Sequence, residues 1–478
     1  MSAVPVIPAQ SPGQSAPRAA SIGRRVYDVA VIGPHTGGAA AAALIARRGL
    51  RVLLAPLSTP LLARESEGWL LPTAHPLLPP LRQLTGAAAA IDELGLGQEL
   101  HRQTLAPGPF QLLGDKLRLS LPAEPARRRS EFRRELPEAE AQQAEAELES
   151  LDVLGRAWDP FLAALPPYPA RGFFERRKLH KLLPVPPEMP TGLVGEALAA
   201  VAPFAAFLVG DTAPEATARE AAALLRAPLR LWGGPAQVGE LCRRKAVEAG
   251  AQLFPDACSA LRLEKKGVTF VLGGSEVRAS AVVLACDAEM VAQLCEGGGR
   301  QERSLADEAG ELRAAHKLVL AHFVVRPEGL PLALEDTALI LGQAGPLLMS
   351  SQPARKGRGE TAGERLLTVA RVAPKGESDG PALLALVRSA LEPVLPFFER
   401  HVLHQSADMD PAASHPLFAP SEDGEPLGLR PISRTHERVL FASAGAYPGF
   451  GLEGSLVAAR ACAAHAHELS GRRSVQAT

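Results

Sequence analysis

At 478 residues the chain is too long for one ordinary compact core, so two or three domains, interleaved or not, are expected. Its 46% hydrophobic and 22% charged residues and its net charge of −1 exclude a disordered or fibrous protein and leave no basic surplus for general nucleic-acid binding. Five scattered cysteines, Cys242, Cys258, Cys286, Cys295 and Cys462, form no C-x-x-C pair, which argues against a disulfide framework and for a reducing, cytoplasmic compartment.

Residues 1–24, rich in Pro, Ser, Ala and Gln, read as a disordered leader. Arg24 and Arg25 precede only a few apolar residues before a glycine turn, so no secretion signal is expected. A strand follows at Val26 to Ile32, then a helix from about Gly37 to Arg48 capped by Gly49, then a strand from Arg51 to Ala55, together one βαβ unit. Residues 81–100 read as helical, and 131–165 as one or two helices with a charged, solvated face. The apolar stretch at 192–210 is interrupted by Glu196 and Pro203, which favours a buried helix pair over a membrane span. A turn, an amphipathic helix and a strand are expected over 233–254. Strands are expected at 267–272, 281–288, 316–325, 337–342, 346–351 and 365–373, with a polar loop at 353–364. A proline-containing helix is expected over 381–404. A strand, a glycine-rich turn and an alanine-rich helix close the chain over 438–469.

The candidate chemistry lies at the two ends. A dinucleotide loop reads G-x-G-x-x-G: its first glycine turns the chain, its second admits the pyrophosphate, and its third lets helix and strand pack. Here the slots are Gly33, Pro34, His35, Thr36, Gly37 and Gly38. A histidine in the second slot can close the phosphate seat, swing away from it, or hydrogen-bond the phosphate. The ribose-binding acid expected at the end of the second strand is missing, because Ala55 and Pro56 stand there and no Asp or Glu lies between Asp28 and Glu65. At the other end Gly445, Gly449, Gly451 and Gly454 punctuate a turn feeding a helix that begins near Leu452. Free N–H groups at such a helix start suit a flavin edge or a phosphate, although a plain glycine turn reads the same way.

With these motifs the chain resembles the phytoene desaturase and amine oxidase group of FAD-dependent oxidoreductases, and most of all the carotenoid desaturase and isomerase branch. That branch reads G-x-G-x-G-G where this chain reads G-x-H-x-G-G; residues 231–253, 280–288 and 448–460 resemble its later segments. The resemblance implies an α/β, Rossmann-like FAD/NAD(P)-binding fold assembled from discontinuous segments, with an inserted mixed α+β substrate domain. The expected FAD-binding domain covers 25–100, 228–300 and 425–472, and the substrate domain 101–227 and 301–424. Carried over residue by residue, the cofactor-binding set is Gly33, His35, Gly37, Gly38, Gly445, Gly449, Gly451, Leu452, Glu453 and Gly454. Three of the family's N-terminal stations are altered, at Ala55, at 60–64 and at 69–76.

The implied function is FAD-dependent oxidation, desaturation or isomerisation of an apolar, isoprenoid or carotenoid-like molecule. The flavin would carry the hydride chemistry, so no protein residue is singled out as catalytic. The alternative is a flavin-free member of the fold acting as a binding or scaffold protein. The segment 171–181, mixing arginine, lysine and phenylalanine, is either peripheral membrane contact or an ordinary amphipathic surface. His401 and His404, three apart on the expected helix, lack a third ligand, so no metal site is expected.

Overall fold

The computed structural model describes residues 26–471 apart from 57–61, 107, 171, 183–189, 210–213, 255–257, 312–313, 343, 358, 411–416, 419–427 and 444; the leader expected over 1–24 lies outside the described residues. Two large sheets organise the chain. In the first, the strand Val26–Ile32 lies between Val52–Ala55 and Ser275–Leu284, parallel to both, and Val439–Phe441 lies parallel to the far side of Ser275–Leu284. Strands 26–32 and 52–55 are rich in valine, leucine and isoleucine and almost wholly buried, as a parallel strand covered on both faces requires. A meander of Cys258–Glu264, Gly267–Leu272 and Ser275–Leu284 continues the sheet at one edge, and Gln252–Leu253 completes the other.

The helix Thr36–Arg47 is buried along nearly its whole length and packs on Gly234–Glu248 and on the closing helix Gly451–Leu469. Small residues on both sides permit this close approach: at Gly239 of the facing helix, for example, a Cβ would stand 2.9 Å from the Thr36 hydroxyl.

The second sheet has the order Val402–Asp408, Ala314–Val325, Gly359–Pro374, Leu347–Lys356, Thr337–Ile340, Phe110–Gly114, Leu117–Leu121. One face carries Val319, Ala321, Phe323, Met349, Leu367 and Val369 against the helix Gly380–Leu391. The opposite face is covered in part by a hairpin, Ala63–Ser66 and Trp69–Pro72, whose Trp69 and Leu71 pack on Val324, Leu366 and Ala354.

Two expectations are corrected here. The polar loop at 353–364 is instead the tip of a long hairpin: strands 347–356 and 359–374 pair almost throughout, with a register shift between Pro353 and Arg355 that accommodates the proline. Cross-strand and tertiary contacts hold this polar sequence extended, through the Arg355–Glu360 ion pair at 3.5 Å and Lys356 over the Trp69 ring at 5.1 Å. The helix expected over 381–404 ends at Leu391, ahead of Pro393 and Pro396, which cannot continue it. Residues 398–401 form a 3-10 turn and 402–408 a strand, so His401 and His404 share no helix face. Elements not expected include the hairpins at 63–72 and 110–121, the strand Cys258–Glu264 and the helices Ala288–Leu294 and Arg300–Gly310, whereas the short helix Asp159–Ala164 lies in the stretch 131–165 read as helical.

The apolar stretch at 192–210 forms the helix Leu193–Ala206, packed on the helix Pro214–Arg226. Among the described residues no helix is long and apolar enough to cross a membrane. Phe173 and Phe174, 73% and 81% exposed, begin the helix Phe173–His180 of the basic segment.

Candidate functional site

The crevice of an open parallel sheet lies outside the carboxyl ends of neighbouring strands whose connections run to opposite sides. Here strands 26–32 and 275–284 meet that description, and the loops that leave them face each other. Gly33, with φ +127°, donates its N–H to Ala55 O at 2.9 Å, and His35 N donates to Ala285 O at 3.1 Å. No side chain fits at Gly33, because a Cβ would lie 2.1 Å from Ala285 O. Gly33→Ala is therefore expected to cost more than about 2 kcal/mol, combining backbone strain with overpacking; an unchanged denaturation midpoint would refute this.

Gly37 and Gly38 are equally constrained. A Cβ on Gly37 would stand 2.3 Å from Ala442 O and 3.0 Å from Ser455 O, and one on Gly38 would stand 2.4 Å from the Ala285 Cβ. The contact of Gly37 with both Ala442 and Ser455 joins the first βαβ unit directly to the closing strand and helix. The two ends of the chain meet at one crevice.

His35 starts the helix Thr36–Arg47 in extended conformation, φ −69°, ψ 146°. Its imidazole is turned toward the loop after strand 275–284, where Nε2 lies 3.3 Å from Asp287 Oδ1. The two residues line a cleft of only about 10 Å3, room for about one water molecule, together with Phe418, Leu429 and Ser443. That volume is far below the roughly 300–1,000 Å3 of ligand pockets, so a phosphate or a ring enters only if His35 and Asp287 move aside. Ala55 ends its strand fully buried, followed by Pro56.

The closing cluster is packed against the chain itself. Gly445, Gly449, Gly451, Leu452, Glu453 and Gly454 are all buried. Gly449 and Gly451 adopt φ +86° and +45°; a Cβ at Gly451 would stand 2.1 Å from Ala205 O, and one at Gly454 would stand 2.7 Å from Tyr447 O. Tyr447 and Phe450 belong to an aromatic cluster with Trp158, Phe161 and Tyr168. Glu453, fully buried in the first helical turn, accepts from Gly86 N at 2.7 Å and from Arg219 Nε at 2.8 Å. Arg219 also reaches Asp159 at 2.9 Å and the carbonyl of Gly155. Burial opposes the Arg219 charge, but Glu453 outweighs it and holds the guanidinium above its ordinary range. Glu220, fully buried beside this pair, is pushed well above the carboxylate range by burial and then by the Glu453 charge. Both effects favour its neutral form beside Glu453.

Arg219, Glu220 and Asp287 escaped the sequence reading. Asp287 lies near the end of the segment read as strand 281–288; the strand ends at Leu284, and Asp287 instead precedes the helix Ala288–Leu294, so a four-residue overrun turned a helix start into a strand end. Among the described residues no cluster of three metal-ligating side chains occurs.

Two buried histidines face the second sheet. Burial, foremost, drives His322 down to about 3 and His75 to about 4. Both stay neutral in the folded chain, while unfolded histidine takes up a proton near pH 6.5. Their contribution to stability is thus complete above pH 6.5 and lost as pH falls toward the folded values, at roughly 1.4 kcal/mol per histidine per pH unit. Urea midpoints between pH 7 and 5 should fall, and fall less steeply in a His75→Gln, His322→Gln variant; parallel slopes would contradict the assignment.

No family model matches the chain, and no curated protein matches it. Solved structures do. A cofactor-site variant of putrescine oxidase superposes with a TM-score of 0.60 at 14% identity, covering 94% of this chain and 99% of that one. Cyclohexylamine oxidase from Brevibacterium oxydans gives 0.58 at 15% identity, covering 93% and 100%. An oxidoreductase from Methanosarcina mazei gives 0.58 at 12% identity, covering 91% and 99%. At such identities the likeness is one of fold, the mixed α/β, Rossmann-type fold that the chain shares with these oxidoreductases.

Proposed function

We propose that the chain is an FAD-dependent oxidoreductase. The observation that carries this reading is the meeting of the Gly33–Gly38 loop with Ala442 and Ser455 at the crevice between strands 26–32 and 275–284, in a fold whose solved neighbours are FAD-dependent oxidases. The start of the helix Thr36–Arg47 offers the partial positive charge a pyrophosphate needs, and the His35 imidazole supplies a donor where a glycine would have supplied bare backbone. Gly33, His35, Gly37 and Gly38 would hold the phosphates. FAD, when bound, would supply hydride acceptance. The chain's own part is to bind and orient the substrate and to exclude water. For the substrate, the resemblance to carotenoid desaturases favours a largely apolar, isoprenoid-like molecule, and the amine oxidase neighbours favour an amine.

A second reading, a flavin-free binding or scaffold protein, is favoured by three specific features. The Asp287 carboxylate stands 3.3 Å from His35 where phosphates would gather, Ala55 replaces the ribose acid, and protein packing surrounds Gly449–Gly454. The absorption spectrum of the purified protein separates the two. Flavin bands at one FAD per chain support the oxidoreductase. Colourless protein that leaves added FAD free in solution overturns it in favour of the second reading.

A further inference from the structure

The helix Phe173–His180 is fastened to the body by one face and turns the other outward. Glu175 accepts from both guanidinium ends of Arg430, at 3.2 and 2.6 Å, and Leu179 packs on the aromatic cluster around Trp158 and Phe450. The helical turn runs on past His180, because Lys181 N donates to Lys178 O at 3.3 Å and Leu182 N to Leu179 O at 2.8 Å. Leu182 joins the same cluster.

Helix periodicity then fixes what faces away. At about 100° per residue, Glu175, Leu179 and Leu182 fall within one narrow arc, which is the seated face. Phe173, Arg177 and Lys181, four apart, form a stripe on the far side, with Phe174 and Lys178 as the stripe beside it. Their exposure agrees: Phe173 and Phe174 are 73% and 81% exposed, and Arg177, Lys178 and Lys181 are exposed too. The two rings stand 5.6 Å apart, edge to face. A single bare apolar side chain is ordinary, but two adjacent phenylalanines held out together form a patch that needs a partner.

Charge decides which partner. Between residues 172 and 182 the sequence carries Arg176, Arg177, Lys178 and Lys181 against one acid, Glu175, and Arg430 engages that acid. The whole chain has a net charge of −1, so this cationic surplus is local. Aromatic rings with cations one turn away match both layers of an anionic bilayer surface: the rings enter the boundary of headgroups and acyl chains, and the long basic side chains reach back to the phosphates. A helix of 8 residues is too short to span a bilayer and lies in its surface plane.

We infer that the helix Phe173–His180 docks the protein on anionic lipid membranes, with Phe173 and Phe174 inserted at the interface and Arg177, Lys178 and Lys181 on lipid phosphates. The docking surface goes beyond the flavin reading and stands whether or not FAD is held, since none of its residues lines the crevice.

Vesicle flotation of the full chain tests it. The protein is expected to float with phosphatidylcholine vesicles containing phosphatidylserine, to stay behind with phosphatidylcholine alone, and to be released by high salt. Phe173→Ser with Phe174→Ser and, independently, Arg177→Glu with Lys178→Glu should each lower partitioning at least about tenfold. All four side chains are exposed, so both variants should melt with the parent. Lys265→Glu with Lys266→Glu, an equal charge change on another exposed turn, should leave partitioning unchanged. Equal flotation with neutral and anionic vesicles, flotation with neither, or an equal loss in the Lys265, Lys266 control overturns the inference. Self-association without vesicle binding, abolished by the Phe173, Phe174 change, overturns it in favour of a second copy of the chain.

Discussion

Alanine in place of Arg219 is expected to destabilise the fold by about 3–5 kcal/mol, because it leaves the fully buried Glu453 carboxylate without its cation. The burden of the test lies on the double change. Arg219→Met with Glu453→Gln removes both charges at once, so it should recover most of that loss, whereas independent roles would make the two losses add. Equilibrium denaturation of the two single variants and the pair measures the coupling directly. A near-zero coupling energy would show that the guanidinium does not neutralise Glu453.

Glu220 gives the same cluster a pH signature. Its folded-state affinity for a proton is raised by burial and by Glu453. The folded chain therefore holds a proton that the unfolded chain releases above the ordinary carboxylate range, and stability falls as pH rises from there toward the elevated value. Glu220→Gln, which keeps the shape and cannot ionise, should be more stable than the parent at pH 8 and close to it at pH 4. The opposite order would place a charged Glu220 in the folded chain.

The second large effect concerns the crevice. Restoring glycine at 35 removes the imidazole paired with Asp287, and glutamate at 55 returns an acceptor for ribose hydroxyls at the end of strand 52–55. One charge-assisted hydrogen bond is worth about 1.5–3 kcal/mol, or one to two decades of affinity. The double variant His35→Gly, Ala55→Glu should therefore bind FAD at least about tenfold more tightly than the parent, read from flavin fluorescence quenching. Because Ala55 is fully buried, His35→Gly alone provides a folded control expected to show part of the gain. Should both variants weaken FAD, the imidazole itself would be the phosphate's donor, and the histidine an adaptation of the seat instead of an obstruction.

These expectations differ in how far they were legible beforehand. Gly33, Gly37 and Gly38 announced a tight turn and close helix packing, and their surroundings show why: backbone carbonyls of Ala285 and Ala442 occupy the space a side chain would need. Glu453 was legible as a residue of the closing turn but not as a buried anion, because its partner Arg219 is 234 positions away. The segment 353–364 was misread as a loop since its glycines and charges obey local turn chemistry, while its pairing depends on a partner strand and on Trp69. The prolines at 393 and 396 should have ended the helix of 381–391, and reading past them hid the strand that carries His404 and Ser406.

What the amino-acid order determined alone is what short-range physics governs: the βαβ unit at 26–55, the strand, turn and helix at the close, and the alternation of helices and strands between them. Periodicity, propensity and glycine's freedom act within a few residues, so they are readable without coordinates. Tertiary structure alone decided the alignment of His322, Thr368 and Ser350 across neighbouring strands, the Arg219–Glu453 pair and the turn of His35 toward Asp287. Each of these depends on register or burial between segments far apart in the chain, and a one-residue slip in any strand would have sent Ser350 and His322 to the apolar face instead.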